Sequence, residues 1–146
     1  MIVLDTNVLS ALMRQTPDAR VVAWLDRQPR VSIWTTSVTV LEIRFGLQIM
    51  PAGKRRTLLV QAFEAMIEKL GGRVASFDDA AAREAGDLMA SRHKKGRPID
   101  PRDTMIAGIV LASHAKLATR NVRHFEEIAK SVVNPWGESQ GTGNRG

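Results

Sequence analysis

The 146-residue chain has no cysteine and no tyrosine, and only four Phe and three Trp. Without thiols, disulfides, thiolate metal sites and cysteine nucleophiles are excluded, which suits a reducing compartment. No apolar run approaches the roughly 20 residues that a membrane-spanning helix needs. The opening Met1-Ile2-Val3-Leu4-Asp5 carries no basic leader, so a cytoplasmic protein without membrane association is expected. There is no Gly-rich loop ending in Lys-Ser/Thr and no G-x-G-x-x-G, the signatures of nucleotide and dinucleotide sites. His93, His114 and His124 lack zinc-ligand spacing and read as surface residues. Ser10 and Ser37 lack the G-x-S-x-G setting of a hydrolase nucleophile.

What is present is an ordinary folded composition, 44% hydrophobic and 25% charged, of a length that fits one domain. Lys and Arg number 21 against 15 Asp and Glu, a formal charge of +6, and a positive field favours polyanionic partners. Short apolar runs at 2–4, 31–34, 74–77, 116–119 and 132–133 read as strands. Helical segments fall between them: 6–13, 17–26 with Pro17 in the first turn, and one from the hydroxyl caps Thr36 and Ser37 to about Met50. Two more span 53–70, closed by Gly71-Gly72, and 79–93. Asp100-Pro101 opens a last one, running to about His114, after an irregular basic stretch. Alternation of this kind predicts an α/β fold with a mainly parallel sheet of about five strands, one domain over residues 1–136. The tail from Gly137, rich in Gly, Ser and Asn, is expected to be disordered. In parallel sheets, sites lie at the carboxyl ends of the strands.

Several polar residues fall there. Asp5 ends the first strand; it could cap the next helix, but Thr6 and Asn7 could do so equally well. Glu42 has Val38, Phe45, Gly46 and Ile49 as its helical face neighbours, placing a carboxylate near the core, where it needs a counter-charge. Arg44, Arg56 or a metal ion could supply it. Asp103 falls at the third helical position after the cap Asp100 and Pro101, favourable for the helix dipole. It also heads the face carrying Ile106, Ala107 and Val110, pointing towards the sheet. Asn121 follows the strand ending at Thr119, where a turn residue is the ordinary reading. An α/β sheet can bring these four to one crevice. Clustered carboxylates select a hard cation such as Mg²⁺ or Mn²⁺, which serves phosphodiester hydrolysis.

These residues sit in motifs that resemble a known family. Met1-Ile2-Val3-Leu4-Asp5-Thr6-Asn7-Val8-Leu9-Ser10 resembles the start of PIN-domain toxins of the VapC type, including the FitB-like branch. Thr39-Val40-Leu41-Glu42-Ile43-Arg44-Phe45-Gly46 is similar to their second acidic motif, and Asp103-Thr104-Met105-Ile106-Ala107 to the third. Leu117 to Phe125 is similar to the fourth, and Asn134-Pro135-Trp136 resembles the FitB-like ending. The resemblance implies a three-layer α/β/α PIN-like fold and Mg²⁺- or Mn²⁺-dependent endoribonuclease activity as a toxin. Asp5, Glu42 and Asp103 are then the metal-site acids, with Asn121 where many members carry a further Asp. An amide there can orient a metal-bound water without adding charge. Thr6 and Thr119 could hold metal waters, and Asp100 could compensate for the missing acid, although capping is its more ordinary role.

An RNA substrate would be met through its phosphates by Lys94, Lys95, Arg97 and Arg102 before the third motif, and by Arg120 and Arg123 around Asn121. With so few aromatics no stacking platform for bases is expected. The resemblance also implies a homodimer and a small antitoxin with a DNA-binding domain, which inserts a segment, often with Arg, into the acidic groove. Two rival readings remain. A PIN-like binding or assembly subunit without turnover is favoured by Asn121. A haloacid-dehalogenase-type phosphatase would need Asp-x-Asp after the first strand, where Asn7 cannot protonate a leaving group.

Overall fold

The computed structural model describes residues 1–137, so the expectation for the remainder of the tail lies outside the described residues. Five parallel strands form one sheet: β1 Ile2–Leu4, β2 Ile33–Thr36, β3 Val74–Ala75, β4 Lys116–Ala118 and β5 Val132–Val133. Their order is β3-β2-β1-β4-β5, with Val3 beside both Trp34 and Leu117. The helices are α1 Thr6–Met13, α2 Ala19–Asp26, α3 Ser37–Ile49, α4 Lys54–Leu70, α5 Asp79–Lys94 and α6 Pro101–Ser113. Two 3₁₀ segments, Arg30–Ser32 and Val122–Ser131, complete the chain. None of these helices is long and apolar enough to cross a membrane.

Period-two alternation in β1 and β4 divides the interior. Val3 and Leu117 turn to a core with Ile106, Ala107 and Val110 of α6, Leu88 of α5 and Phe125. Leu4 and Ala118 turn to a second core with Val8 and Leu9 of α1, Trp24 of α2, Ile43 of α3 and Phe63 of α4. Both faces of the sheet are thus covered, which is why its strands read as continuous apolar runs. The result is the expected three-layer α/β/α arrangement. On one side α5 and α6 approach closely because Gly108 leaves room. A Cβ there would stand 2.4 Å from the Ala81 carbonyl oxygen and 2.8 Å from Ala85 Cβ.

Some boundaries differ from the sequence reading. Pro17 lies outside α2, which is capped by Asp18 accepting from the Arg20 N–H. The second strand begins at Ile33 because the 3₁₀ turn Arg30–Ser32 takes up Val31, which is 76% exposed. The third strand stops at Ala75, before Phe77. Phe45 and Ile49, read as core neighbours of Glu42, are 57% and 68% exposed, so only Val38 of that stripe is buried.

Candidate acidic site at the carboxyl ends of β1 and β4

The strand order reverses direction at β1, and the crevice between β1 and β4 is where parallel sheets place their ligands. Asp5 stands at its floor, 2% exposed. It caps α1, with Oδ1 accepting from the Thr6 N–H at 2.8 Å. Its Oδ2 accepts from Thr119 Oγ1 at 2.8 Å and from Asn7 Nδ2 at 3.3 Å. Asp5 therefore caps α1 through one carboxylate oxygen while the other is held by Thr119 and Asn7.

Burial pushes the Asp5 carboxyl up from 3.8 to about 6, against the opposing hydrogen bonds from Thr119 and Thr6 and with the charges of Asp103 and Glu42 adding to the rise. Desolvation disfavours the charged form, and neighbouring carboxylates add to that. The charges of Asp103 and Glu42, carried by two other elements, thus reach Asp5.

Glu42 is delivered by α3, which starts directly after β2 because Thr36 caps it, accepting from the Thr39 N–H. Its Oε1 accepts from Thr6 Oγ1 at 2.6 Å, and Thr6 Oγ1 also lies 3.0 Å from Thr39 Oγ1. Its nearby cation is Arg102, whose Nε is 3.6 Å from Oε2. The partners considered from sequence are engaged elsewhere: Arg44 lies 3.9 Å from Glu64, and Arg56 donates to Gln48. Asp103, half-buried on α6, has Oδ2 2.7 Å from His124 Nδ1.

Asp100 caps α6, accepting from the Arg102 N–H at 2.7 Å. The Arg102 side chain hydrogen-bonds the same carboxyl and holds it below the usual carboxylate range. Its role is the ordinary one. Asn121 is exposed, and its N–H donates to Thr119 Oγ1 at 3.0 Å. Thr6 and Thr119 bond the acids directly rather than standing behind them. Among the basic residues, Lys94, Lys95 and Arg123 are exposed, Arg97 pairs with Glu126 at 2.8 Å, and Arg102 is shared between Asp100 and Glu42. Arg120 lies 4.8 Å above the Trp136 ring, an aromatic stack that a count of aromatics could not foresee.

Sequence reasoning missed His124 beside Asp103 and Thr39 beside Thr6. Asp103 and His124 are joined only by the packing of Val122–Ser131 against α6, and no local spacing signals that. The donors at the crevice are hard carboxylate oxygens, and buried Asp5 beside two further acids is the charge excess that a divalent cation relieves. The set fits such an ion in kind. As they stand, the side chains are turned to protein partners, and no group of three His, Asp or Glu among the described residues is arranged to hold a metal.

The family model of the PIN domain matches residues 2–131, nearly the whole of this α/β/α sandwich. The chain belongs to that family. It is 43% identical to the VapC ribonuclease Y4jK of Sinorhizobium fredii, over 93% of this chain and 98% of that one. It is 34% identical to the toxin FitB of Neisseria gonorrhoeae, over 93% and 99% respectively. Its fold is similar to the solved FitAcB of Neisseria gonorrhoeae at a TM-score of 0.83 and 33% identity, covering 93% of this chain and 99% of that one. It is likewise similar to DNA-bound VapBC from Salmonella typhimurium, at a TM-score of 0.76 and 27% identity, over 92% and 97%. The resemblance drawn from four short motifs extends over nearly the whole chain.

Proposed function

We propose that this protein is a metal-dependent endoribonuclease, the toxin of a type II toxin–antitoxin pair, built as one PIN-like domain over residues 1–136 and acting in the cytoplasm. The observation that carries this reading is the burial of Asp5 just after β1, at the switch point of the sheet, where burial above all, with the charges of Asp103 and Glu42 adding to it, lifts its carboxyl to about 6. Those three acids would hold Mg²⁺ or Mn²⁺. The chemistry available from such an ion is polarisation of a phosphate oxygen and a lowered pKa for the attacking water.

The chain's own side chains orient and exclude. Thr119 and Asn7 fix Asp5, Thr6 fixes Glu42, and Asn121 stands at the rim to orient a water. Lys94, Lys95, Arg97, Arg102, Arg120 and Arg123 would meet RNA phosphates. The relatives named VapC ribonuclease and toxin FitB support RNA as substrate. The solved FitAB and VapBC complexes, some with DNA bound, support a cognate antitoxin carrying a DNA-binding domain. The exposed stripe Leu41, Phe45 and Ile49 on α3 supports a homodimer or antitoxin contact.

A binding subunit without turnover is the second reading, favoured by the neutral Asn121 and by the engagement of each acid with a protein partner. Purified protein is incubated with RNA and Mn²⁺ beside Asp5→Asn. Cleavage by the native protein alone supports the nuclease. Cleavage by both indicates contamination, and cleavage by neither supports the binding subunit.

A further inference from the structure

The side chain of Arg92 is 2% exposed, the largest of the fully buried side chains among the described residues, and a buried charge of this kind is costly unless well paired. It has no part in the reading above. From α5 its guanidinium reaches three residues on two elements, α6 and the 3₁₀ segment Val122–Ser131. Nε and Nη2 grip both oxygens of Glu127 at 3.1 and 2.9 Å. Nη1 donates to Thr104 Oγ1 at 2.7 Å, and Nη2 to the His124 carbonyl oxygen at 2.6 Å. Thr104 follows Asp103 on α6, so one buried cation ties the side chain next to Asp103 to the backbone of His124.

The consequence shows on the other side of that backbone. His124 Nδ1 lies 2.7 Å from Asp103 Oδ2. A carboxylate only accepts, so Nδ1 carries the hydrogen, and Asp103 Oδ1 has no hydrogen-bond partner among the described residues. An exposed His–Asp pair on flexible ground holds its partner loosely. Here the imidazole stands on a segment fixed from behind by Arg92 and Glu127, and by the His124 N–H donating to the Asn121 carbonyl at 3.0 Å.

We propose that His124 is a positioning residue that holds Asp103 by Oδ2 and leaves Oδ1 without a protein partner, so that it would be available to a divalent cation, with Arg92 as its brace. This rests on the metal-nuclease reading. It assigns to a histidine the orienting work that a partner of a metal-binding carboxylate performs, whose removal typically weakens metal binding 10- to 100-fold.

Calorimetric titration of the full chain with Mn²⁺, without RNA, tests it. His124→Ala is expected to weaken Mn²⁺ binding by about tenfold. His124→Asn, whose side-chain amide can replace the Nδ1 donor, is expected to recover most of that loss. Arg92→Lys keeps the charge without the fork and is expected to weaken Mn²⁺ binding with His124 intact. Because His124 is exposed, His124→Ala should stay folded, with a melting temperature within about 3 °C of the native protein. His124→Ala binding Mn²⁺ as tightly as the native protein, or more tightly, overturns the proposal and leaves the nuclease reading standing. Failure of His124→Asn to recover binding overturns it too. A native protein that takes up no Mn²⁺ sinks both.

Discussion

Thr119 Oγ1 donates to Asp5 Oδ2 across 114 residues of sequence, and the same hydroxyl oxygen accepts from Asn7 Nδ2 and from the Asn121 N–H. Both acceptor positions of the hydroxyl are filled, so its single proton is committed to Asp5. One threonine thereby fixes the buried acid and sets the turn that leads β4 to Asn121.

The raised Asp5 carboxyl makes a prediction whose sign is fixed. A folded pKa of about 6 against 3.8 means that the stability contributed by the protonated form is full below 3.8 and lost as pH rises through 6. At pH 7.5, without metal, the buried charge costs about 3 kcal/mol. Asp5→Asn removes that cost but strands donors from Thr119 and Asn7, a loss of about 1–2 kcal/mol. The metal-free variant should therefore melt above the native protein at pH 7.5 and below it at pH 4. Thermal unfolding in chelator, followed by circular dichroism across pH, reads the difference. A difference independent of pH would contradict the assignment.

Arg120 is held over Trp136, so its guanidinium enters an encounter with RNA already ordered. Arg120→Ala should weaken RNA binding in every sequence context and reduce the slope of log affinity against log salt by about one. Trp136→Leu keeps the charge and should weaken binding less, with that slope unchanged. Fluorescence anisotropy with a labelled oligonucleotide at several salt concentrations separates the two. Equal slopes for the native protein and Arg120→Ala would remove Arg120 from the interface.

Two glycines on the paired helices should respond in opposite directions. Gly108→Ala drives a methyl into the backbone of α5 at Ala81, forcing the helices apart at a cost of about 2–3 kcal/mol. Gly86 lies on the exposed side of α5, and a Cβ there meets nothing within 4 Å. Gly86→Ala should stabilise by about 0.5–1 kcal/mol through helix propensity and reduced unfolded-chain entropy. Urea unfolding of both variants checks the pair.

Glu127 is held below the usual carboxylate range, chiefly by its hydrogen bonds from Arg92. Its stability contribution is present above the ordinary glutamate value of 4.5 and is lost as pH falls from there through the lowered folded value. Glu127→Gln leaves the buried guanidinium short of its counter-charge and should cost about 3 kcal/mol at pH 7. The gap to the native protein should narrow below about pH 4. Chemical denaturation at pH 7 and pH 4 measures it; a gap unchanged with pH would show that the pair contributes no charge-dependent stability.

The sequence carried the features that depend on neighbours along the chain. The alternation of strands and helices, the caps Thr36 and Asp100, and the inward face of Ile106, Ala107 and Val110 are all local patterns. Ile106 and Ala107 are fully buried, as that face requires. What failed was non-local. The stripe on α3 was read as core, yet exposed Phe45 and Ile49 flank Glu42, because periodicity marks a face without saying whether anything covers it. Arg102 as the cation near Glu42, Arg120 over Trp136, and His124 against Asp103 arise from contacts between distant segments.

The sheet order has one more consequence, for a chain still being made. β1 is flanked by β2 on one side and by β4 on the other, and translation supplies β4 and α6 late. A nascent polypeptide on the ribosome therefore carries Asp5 and Glu42 while Asp103 and Thr119 are still unwritten. Under the proposed activity, the surrounding message meets no finished cutting centre until the segments bearing Asp103 and Thr119 have been made and have joined the sheet.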